Sequence, residues 1–281
     1  MIPAEFDYIA PDTLDDAIAA LAGGGEDAKL LAGGHSLLPL MKLRLAAPTL
    51  LIDLRKVPGL RGIERQNGGW RIGALTPHAE LERSPELGVL AHAAGTIADP
   101  QVRNRGTIGG SLAHGDPASD LPAVLLITEG TVTLQGTESQ RSVAAAELFR
   151  DYLETAIEPA EVLTEVHVPA LEGWGWGYQK FNRRSEDWAM VGVSAVVKQS
   201  DGVCEDVRVG LTNMGSVPLR ASAVEEALRG QPLNAQSIAE AAEQAAEGTD
   251  PPADLNASTE YKRHLARVLC RRALAQAAAL S

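Results

Sequence analysis

Two glycine turns, each set against apolar sequence, restrict this chain more than any other feature. In the first, Lys29-Leu30-Leu31 runs into Ala32-Gly33-Gly34-His35-Ser36, and Leu37-Leu38-Pro39 resumes the apolar course. The second reads Arg105-Gly106-Thr107-Ile108-Gly109-Gly110-Ser111. Glycine permits positive φ and close backbone approach. Turns of this kind aim several N–H groups at one point and form a hollow for an anion. Alone, residues 33–36 read equally well as a tight strand-to-helix turn without a ligand. Two such turns point to a ligand with two phosphates held from both sides. Backbone N–H groups and the Ser36 hydroxyl would then donate to phosphate oxygens.

Composition narrows the setting. The 281 residues are enough for two or three compact units. Hydrophobic residues make up 45% and aromatics only 4%, so a full core of Ala, Leu, Val and Ile is expected. A net charge of −12 argues against a nucleic-acid partner, which needs clustered Lys and Arg. Cys204 and Cys270 lie far apart and outside any CxxC. That speaks against a disulfide framework, a zinc site or an iron–sulfur cluster held by this chain, and for a reducing cytoplasm. The acidic start, Met1-Ile2-Pro3-Ala4-Glu5-Phe6-Asp7, does not read as a signal peptide. No apolar run is long enough to span a bilayer.

Periodicity outlines the elements. Residues 11–22 read as a helix with a Thr13/Asp16 capping box and Leu14, Ile18 and Leu21 on one face. Residues 30–32 read as a buried strand, as do 50–54. Pro58-Gly59 marks a boundary. Residues 69–74 and 161–169 read as strands, 77–90 as helical with interruptions at the prolines, and 120–127 as a helix. Gly173-Trp174-Gly175-Trp176-Gly177-Tyr178 reads as a divider before a last region. That region holds strands at 190–197 and 207–211, helices capped by Ser222/Glu225 and Ser237/Glu240, and a long helix over 258–280 with Tyr261, Leu265, Leu269 and Ala273 on one face.

Both turns resemble those of the FAD-binding medium subunit of molybdenum hydroxylases, the family of xanthine dehydrogenase and aerobic carbon monoxide dehydrogenase. The likeness extends through Asp99-Pro100-Gln101-Val102-Arg103-Asn104, through Ser119-Asp120-Leu121-Pro122 and to Tyr261-Lys262-Arg263-His264-Leu265-Ala266. It implies an α+β fold. A two-part FAD-binding domain of the vanillyl-alcohol-oxidase/PCMH type (residues 1–57 and 58–173) would precede a C-terminal domain of antiparallel sheet and helices (174–281). It also implies cofactor contacts at Leu30, Leu31, Ala32, Gly33, Gly34, His35, Ser36 and Leu37, and at Thr107, Ile108, Gly109, Gly110 and Ser111. Ser111 stands where relatives commonly have Asn. Asp120 would meet the ribityl chain, Leu163 and Lys180 would lie near the ring, and Ile97 would make an apolar contact. Read as residues alone, Asp120 is also an N-cap, Leu163 plain core and Lys180 part of a solvated basic face.

By the same resemblance the chain carries noncovalent FAD and passes electrons without a catalytic residue of its own. Its partners would be a large subunit with a molybdopterin cytosine dinucleotide-type molybdenum cofactor and a small subunit with two 2Fe–2S clusters, assembled as a dimer of heterotrimers. Electrons would go to an outside acceptor such as a quinone, NAD or oxygen. A stand-alone flavin oxidase and a flavin-free scaffold subunit are the competing readings. The sequence has no P-loop, no GxGxxG, no GxSxG elbow and no HExxH. No nucleic acid and no membrane span are expected.

Overall fold

The computed structural model describes residues 2–280, so Met1 of the N-terminal segment lies outside the described residues. The chain builds three main sheets in sequence order. The first is parallel, with β1 (Asp7–Ile9) and β2 (Ala28–Leu31) on either side of β3 (Leu50–Asp53). Parallel neighbours need crossovers, and α1 (Leu14–Gly24) and α2 (Leu37–Lys42) occupy them. The start of α1 is fixed as its sequence reads: Thr13 Oγ1 accepts from the Asp16 N–H at 3.1 Å. Gly25, at φ +59°, closes it. Ala17, Ile18 and Leu21 pack on Ile52 and Leu54. The strand expected at 30–32 ends at Leu31, and only Ala28 in it is buried. Leu30 and Leu31 are half-buried because they border a cleft.

The second sheet is antiparallel and runs β4 (Ile63–Gln66), β5 (Gly69–Gly73), β10 (Val162–Pro169), β6 (Thr131–Gln135), β7 (Gln140–Ala144). Between β5 and β6 the chain makes α3 (His78–Glu82), α4 (Val89–Gly95), α5 (Pro100–Arg103), α6 (Ile108–His114) and α7 (Asp120–Ile127). A short α8 (Ala145–Leu148) and the ribbon of β8 (Phe149–Asp151) and β9 (Glu154–Thr155) follow β7. Every residue of α7 is buried. A helix that is apolar on nearly all sides must be covered all round, and α7 packs among α4, α6 and the last sheet.

The third sheet is β11 (Trp174–Phe181), β12 (Val191–Ser200), β13 (Val203–Thr212) and β14 (Leu219–Arg220), antiparallel throughout. Helices α9 (Ser222–Leu228), α10 (Ala235–Ala242) and α11 (Thr259–Leu280) complete it. The expected Gly/Trp divider is a strand, β11, paired with β12 along its length. Its glycines face α11: a Cβ at Gly177 would sit 2.0 Å from the Ala273 carbonyl oxygen. Its tryptophans face the other way, onto the core under the second sheet.

Two expected caps are also corrected. Ser222 lies inside α9, whose N-cap Ala221 makes no side-chain bond; Glu225 instead grips Arg220 and the Val209 N–H. The box on α10 is Asn234 with Ser237, because Asn234 accepts from two N–H groups and Ser237 Oγ accepts from Asn234 N–H. Helix α11 forms as expected, with Leu265, Leu269 and Ala273 buried and Tyr261 partly exposed.

Candidate cofactor cleft

A cleft of about 1010 Å³ lies where the three sheets meet. Its walls hold Leu30, Leu31, Ala32, Gly33, Gly34, His35, Ser36, Leu37, Thr107, Gly109, Gly110, Ser111, Asp120, Leu163 and Lys180. Of the residues singled out from sequence, Ile108 alone is missing from the wall. Its side chain is 1% exposed in the core, and its N–H is bonded to the Thr76 carbonyl at 3.1 Å.

The two turns differ in what they leave free. After β2, the N–H groups of Gly33, Gly34, His35, Ser36 and Leu37 meet no protein acceptor among the described residues. Ser36 is the N-cap of α2 but makes no side-chain capping bond. Buried or half-buried backbone donors are normally paired, so this row is prepared for a ligand with acceptor oxygens. In the second turn the N–H groups are largely committed. Gly109 donates to the Ala74 carbonyl at 2.8 Å, Ser111 to the Thr107 carbonyl at 3.0 Å, and Gly110 to Thr107 Oγ1 at 3.1 Å. The expectation that both turns aim backbone N–H groups at the ligand therefore narrows to the first. The second turn offers the cleft hydroxyls and a close-packed floor, and the first turn offers the backbone donors.

The glycines explain how the turns meet. A Cβ at Gly33 would lie 2.2 Å from the Arg105 carbonyl oxygen, so the two turns touch backbone to backbone. Gly34 holds φ +80°, a left-handed value that favours glycine. Gly109 packs α6 onto the end of β5, where a Cβ would fall 2.5 Å from Ala74 Cβ. Arg103 is mostly buried beside the second turn. Its guanidinium binds Glu82 at 2.9 Å and the carbonyls of Ile97 and Ala98 at 3.0 and 3.2 Å, which shapes the wall.

The end of the cleft nearest the third sheet is charged and buried. Asp120 is the first residue of α7, after its N-cap Ser119, so it is not the cap its sequence suggests, and Lys180 projects from β11 into the interior and not onto a solvated face; they are 4% and 6% exposed. Lys180 Nζ donates to Asp120 Oδ2 at 2.9 Å and to the Thr96 carbonyl at 3.2 Å. Tyr178 Oη donates to Asp120 Oδ1 at 2.5 Å. Burial pushes the Asp120 carboxyl above its usual range, opposed by Lys180 and the hydrogen bonds. Burial, then the nearby Asp120, pushes the Tyr178 phenol well up. Leu163 lies beside a bulge in β10, where the register shifts before Glu165, and a bulge re-aims neighbouring side chains.

Several wall residues escaped the sequence reading. His78 stands behind the second turn. Burial, with smaller effects from His35 and Arg103, drops its pKa to about 4, so it is neutral at pH 7. Trp188 borders the cleft from the loop between β11 and β12 and is 54% exposed. Tyr178, buried behind Asp120 and not itself in the wall, was visible only as part of a glycine-rich stretch. A lone histidine in a scatter of six, or an aromatic in a charged loop, carries no spacing by which sequence could find it.

Comparison with known proteins decides the family. Residues 4–171 match the FAD binding domain in molybdopterin dehydrogenase, and 176–277 match the CO dehydrogenase flavoprotein C-terminal domain. The chain belongs to the FAD-binding medium subunits of the molybdenum hydroxylases. It is 42% identical to the carbon monoxide dehydrogenase medium chain of Hydrogenophaga pseudoflava, over 98% of this chain and 97% of that one. It is 40% identical to the 6-hydroxypseudooxynicotine dehydrogenase complex subunit alpha of Paenarthrobacter nicotinovorans, over 99% and 96%. In structure it matches a carbon monoxide dehydrogenase chain from H. pseudoflava, in an enzyme lacking the Mo-pyranopterin moiety, at TM-score 0.96 and 44% identity over 99% of each. This medium subunit is α+β, and none of its helices is long and apolar enough to cross a membrane among the described residues.

Proposed function

We propose that this medium subunit binds FAD noncovalently in the cleft and relays electrons for a molybdenum hydroxylase complex in the cytoplasm. The row of unpartnered N–H groups at residues 33–37 carries the reading, because it suits a diphosphate. The Ser36, Thr107 and Ser111 hydroxyls add donors to the same cleft. Residues 1–57 and 58–173 form the two parts of the cofactor-binding domain, and 174–281 contribute Lys180 and Tyr178 at its far end. Asp120 accepts from a ligand hydroxyl, and Leu163 and Ile97 give the ring an apolar wall.

FAD supplies the ability to exchange electrons singly on one side and in pairs on the other. The protein binds it, orients it and sets its electrostatic surroundings. Electrons arrive from 2Fe–2S clusters in a small subunit, and hydroxylation takes place at molybdenum in a large subunit. Two such heterotrimers pair. The relatives act on substrates as different as carbon monoxide and 6-hydroxypseudooxynicotine, so the substrate is set outside this chain.

Two measurements test the proposal. The purified chain mixed with FAD should turn yellow and quench the cofactor's fluorescence with one-to-one stoichiometry. Isolation from the native source should bring two further subunits, molybdenum and iron. A chain that takes up no FAD contradicts the cleft assignment. A chain that binds FAD but is bleached by an organic substrate without partners contradicts the relay role.

A further inference from the structure

We propose that Asp120 takes up a proton when the flavin in the cleft is reduced, and that Tyr178 positions it to do so. The inference rests on the FAD reading above. As the structure stands, Asp120 and Lys180 are a neutral pair set into the cleft wall. Such a pair gives an arriving ligand little net field, so Lys180 is not the free cation that sequence alone implies. Adding two electrons and one proton to a flavin leaves one negative charge. A charge in a poorly solvated cleft is costly unless it is matched.

A proton on Asp120 Oδ2 matches it. One O–H bond forms at Oδ2 and the Lys180 N–H···Oδ2 hydrogen bond breaks; apart from the one proton the flavin itself takes, no other bond at the site changes. The electrons come from reduced 2Fe–2S centres, and both protons, the flavin's and Asp120's, come through the cleft mouth from the acid form of the solvent buffer, which is left as its conjugate base. Lys180 stays anchored by the Thr96 carbonyl and is left uncompensated towards the new charge. Tyr178 donates to Oδ1 throughout and keeps Oδ2 turned to Lys180.

The surroundings favour this exchange. Burial already biases Asp120 towards its protonated form. On α4, His92 packs its ring 6.0 Å from Tyr178, and burial lowers its pKa. From α6, His114 reaches the cleft wall. On β13, Arg208 lies at the opposite end of α7, on the Ile127 carbonyl. On β14, Arg220 is held by Glu225. Glu186 and Asp187 add carboxylates at the cleft wall.

The test is a spectroelectrochemical titration of the FAD-loaded full chain across neutral and alkaline pH, with infrared difference spectra. The wild type should take up about one proton per electron, and Asp120→Asn one per electron pair. Tyr178→Phe should shift the pH range of the steeper uptake. On reduction a protonated-carboxyl C=O band should appear in the wild type. Equal uptake in wild type and Asp120→Asn, or no such band in the wild type, overturns the proposal. Should Asp120→Asn not fold, the wild-type band and Tyr178→Phe still decide. A wild-type chain without flavin absorbance before reduction overturns the FAD reading itself, and this proposal with it.

Discussion

At Gly33 the two turns of the cleft meet with no room for a side chain. A methyl group there would lie 2.2 Å from the Arg105 carbonyl oxygen, so the backbones would have to part. Gly33→Ala should therefore lower FAD uptake and destabilise the chain by about 1–3 kcal/mol, as overpacking does. Urea unfolding beside flavin absorbance measures both, and unchanged values contradict the contact. His78 gives a pH signature. Its pKa falls from 6.5 to about 4 on folding. Between those values the unfolded chain binds the proton and the folded chain does not, so stability rises with pH across that window. The term is fully present above pH 6.5 and is lost as pH falls towards 4, a difference of about 3 kcal/mol. In His78→Gln, thermal denaturation should show a shallower loss over the same range, and an equal loss would count against it.

Among the elements, β11 joins two cores at once. Gly175 and Gly177 are buried, Gly177 directly against Ala273 of α11, and Trp174 and Trp176 face the core of the second sheet. Trp174 also carries the Arg208 guanidinium 4.6 Å above its ring. Gly177→Ala should push α11 off the strand and cost at least about 1–3 kcal/mol, read as a lower urea midpoint; an unmoved midpoint would show that α11 can shift freely. Sequence shows such elements unevenly. Helix α1 was legible because its cap, apolar face and closing glycine agree. Strand β11 was not, because alternating glycine and tryptophan look like a linker until a helix is known to lie on the glycines. The N-caps of α9 and α10 were displaced by one to three residues because Ser, Asn and Glu offer competing partners. Lys262 on α11 is fully buried, its Nζ 2.7 Å from Asp254 Oδ2 in an ion pair rather than a well-directed hydrogen bond, and no local pattern shows it.

For the molecule as a whole, the cleft belongs to no single sheet. The first supplies the donor row, the second the close-packed floor and Asp120, the third Lys180 and Tyr178. The glycine turns were legible because both are short and local. Their unequal roles were not, since that depends on Ala74 and Thr76 claiming N–H groups of the second turn. The Asp120–Lys180 pair ties the second sheet's helices to the third sheet. Lys180→Met should cost about 3–5 kcal/mol by leaving the carboxylate buried and unpaired, and adding Asp120→Asn should restore much of it. Melting temperatures of the single and double variants check this, and an additive loss would contradict it. The most direct test of the account is amide hydrogen exchange with and without FAD. Residues 33–37 should gain strong protection on binding while Gly109, Gly110 and Ser111, already bonded within the protein, change little. Protection absent from 33–37, or confined to the second turn, would contradict it.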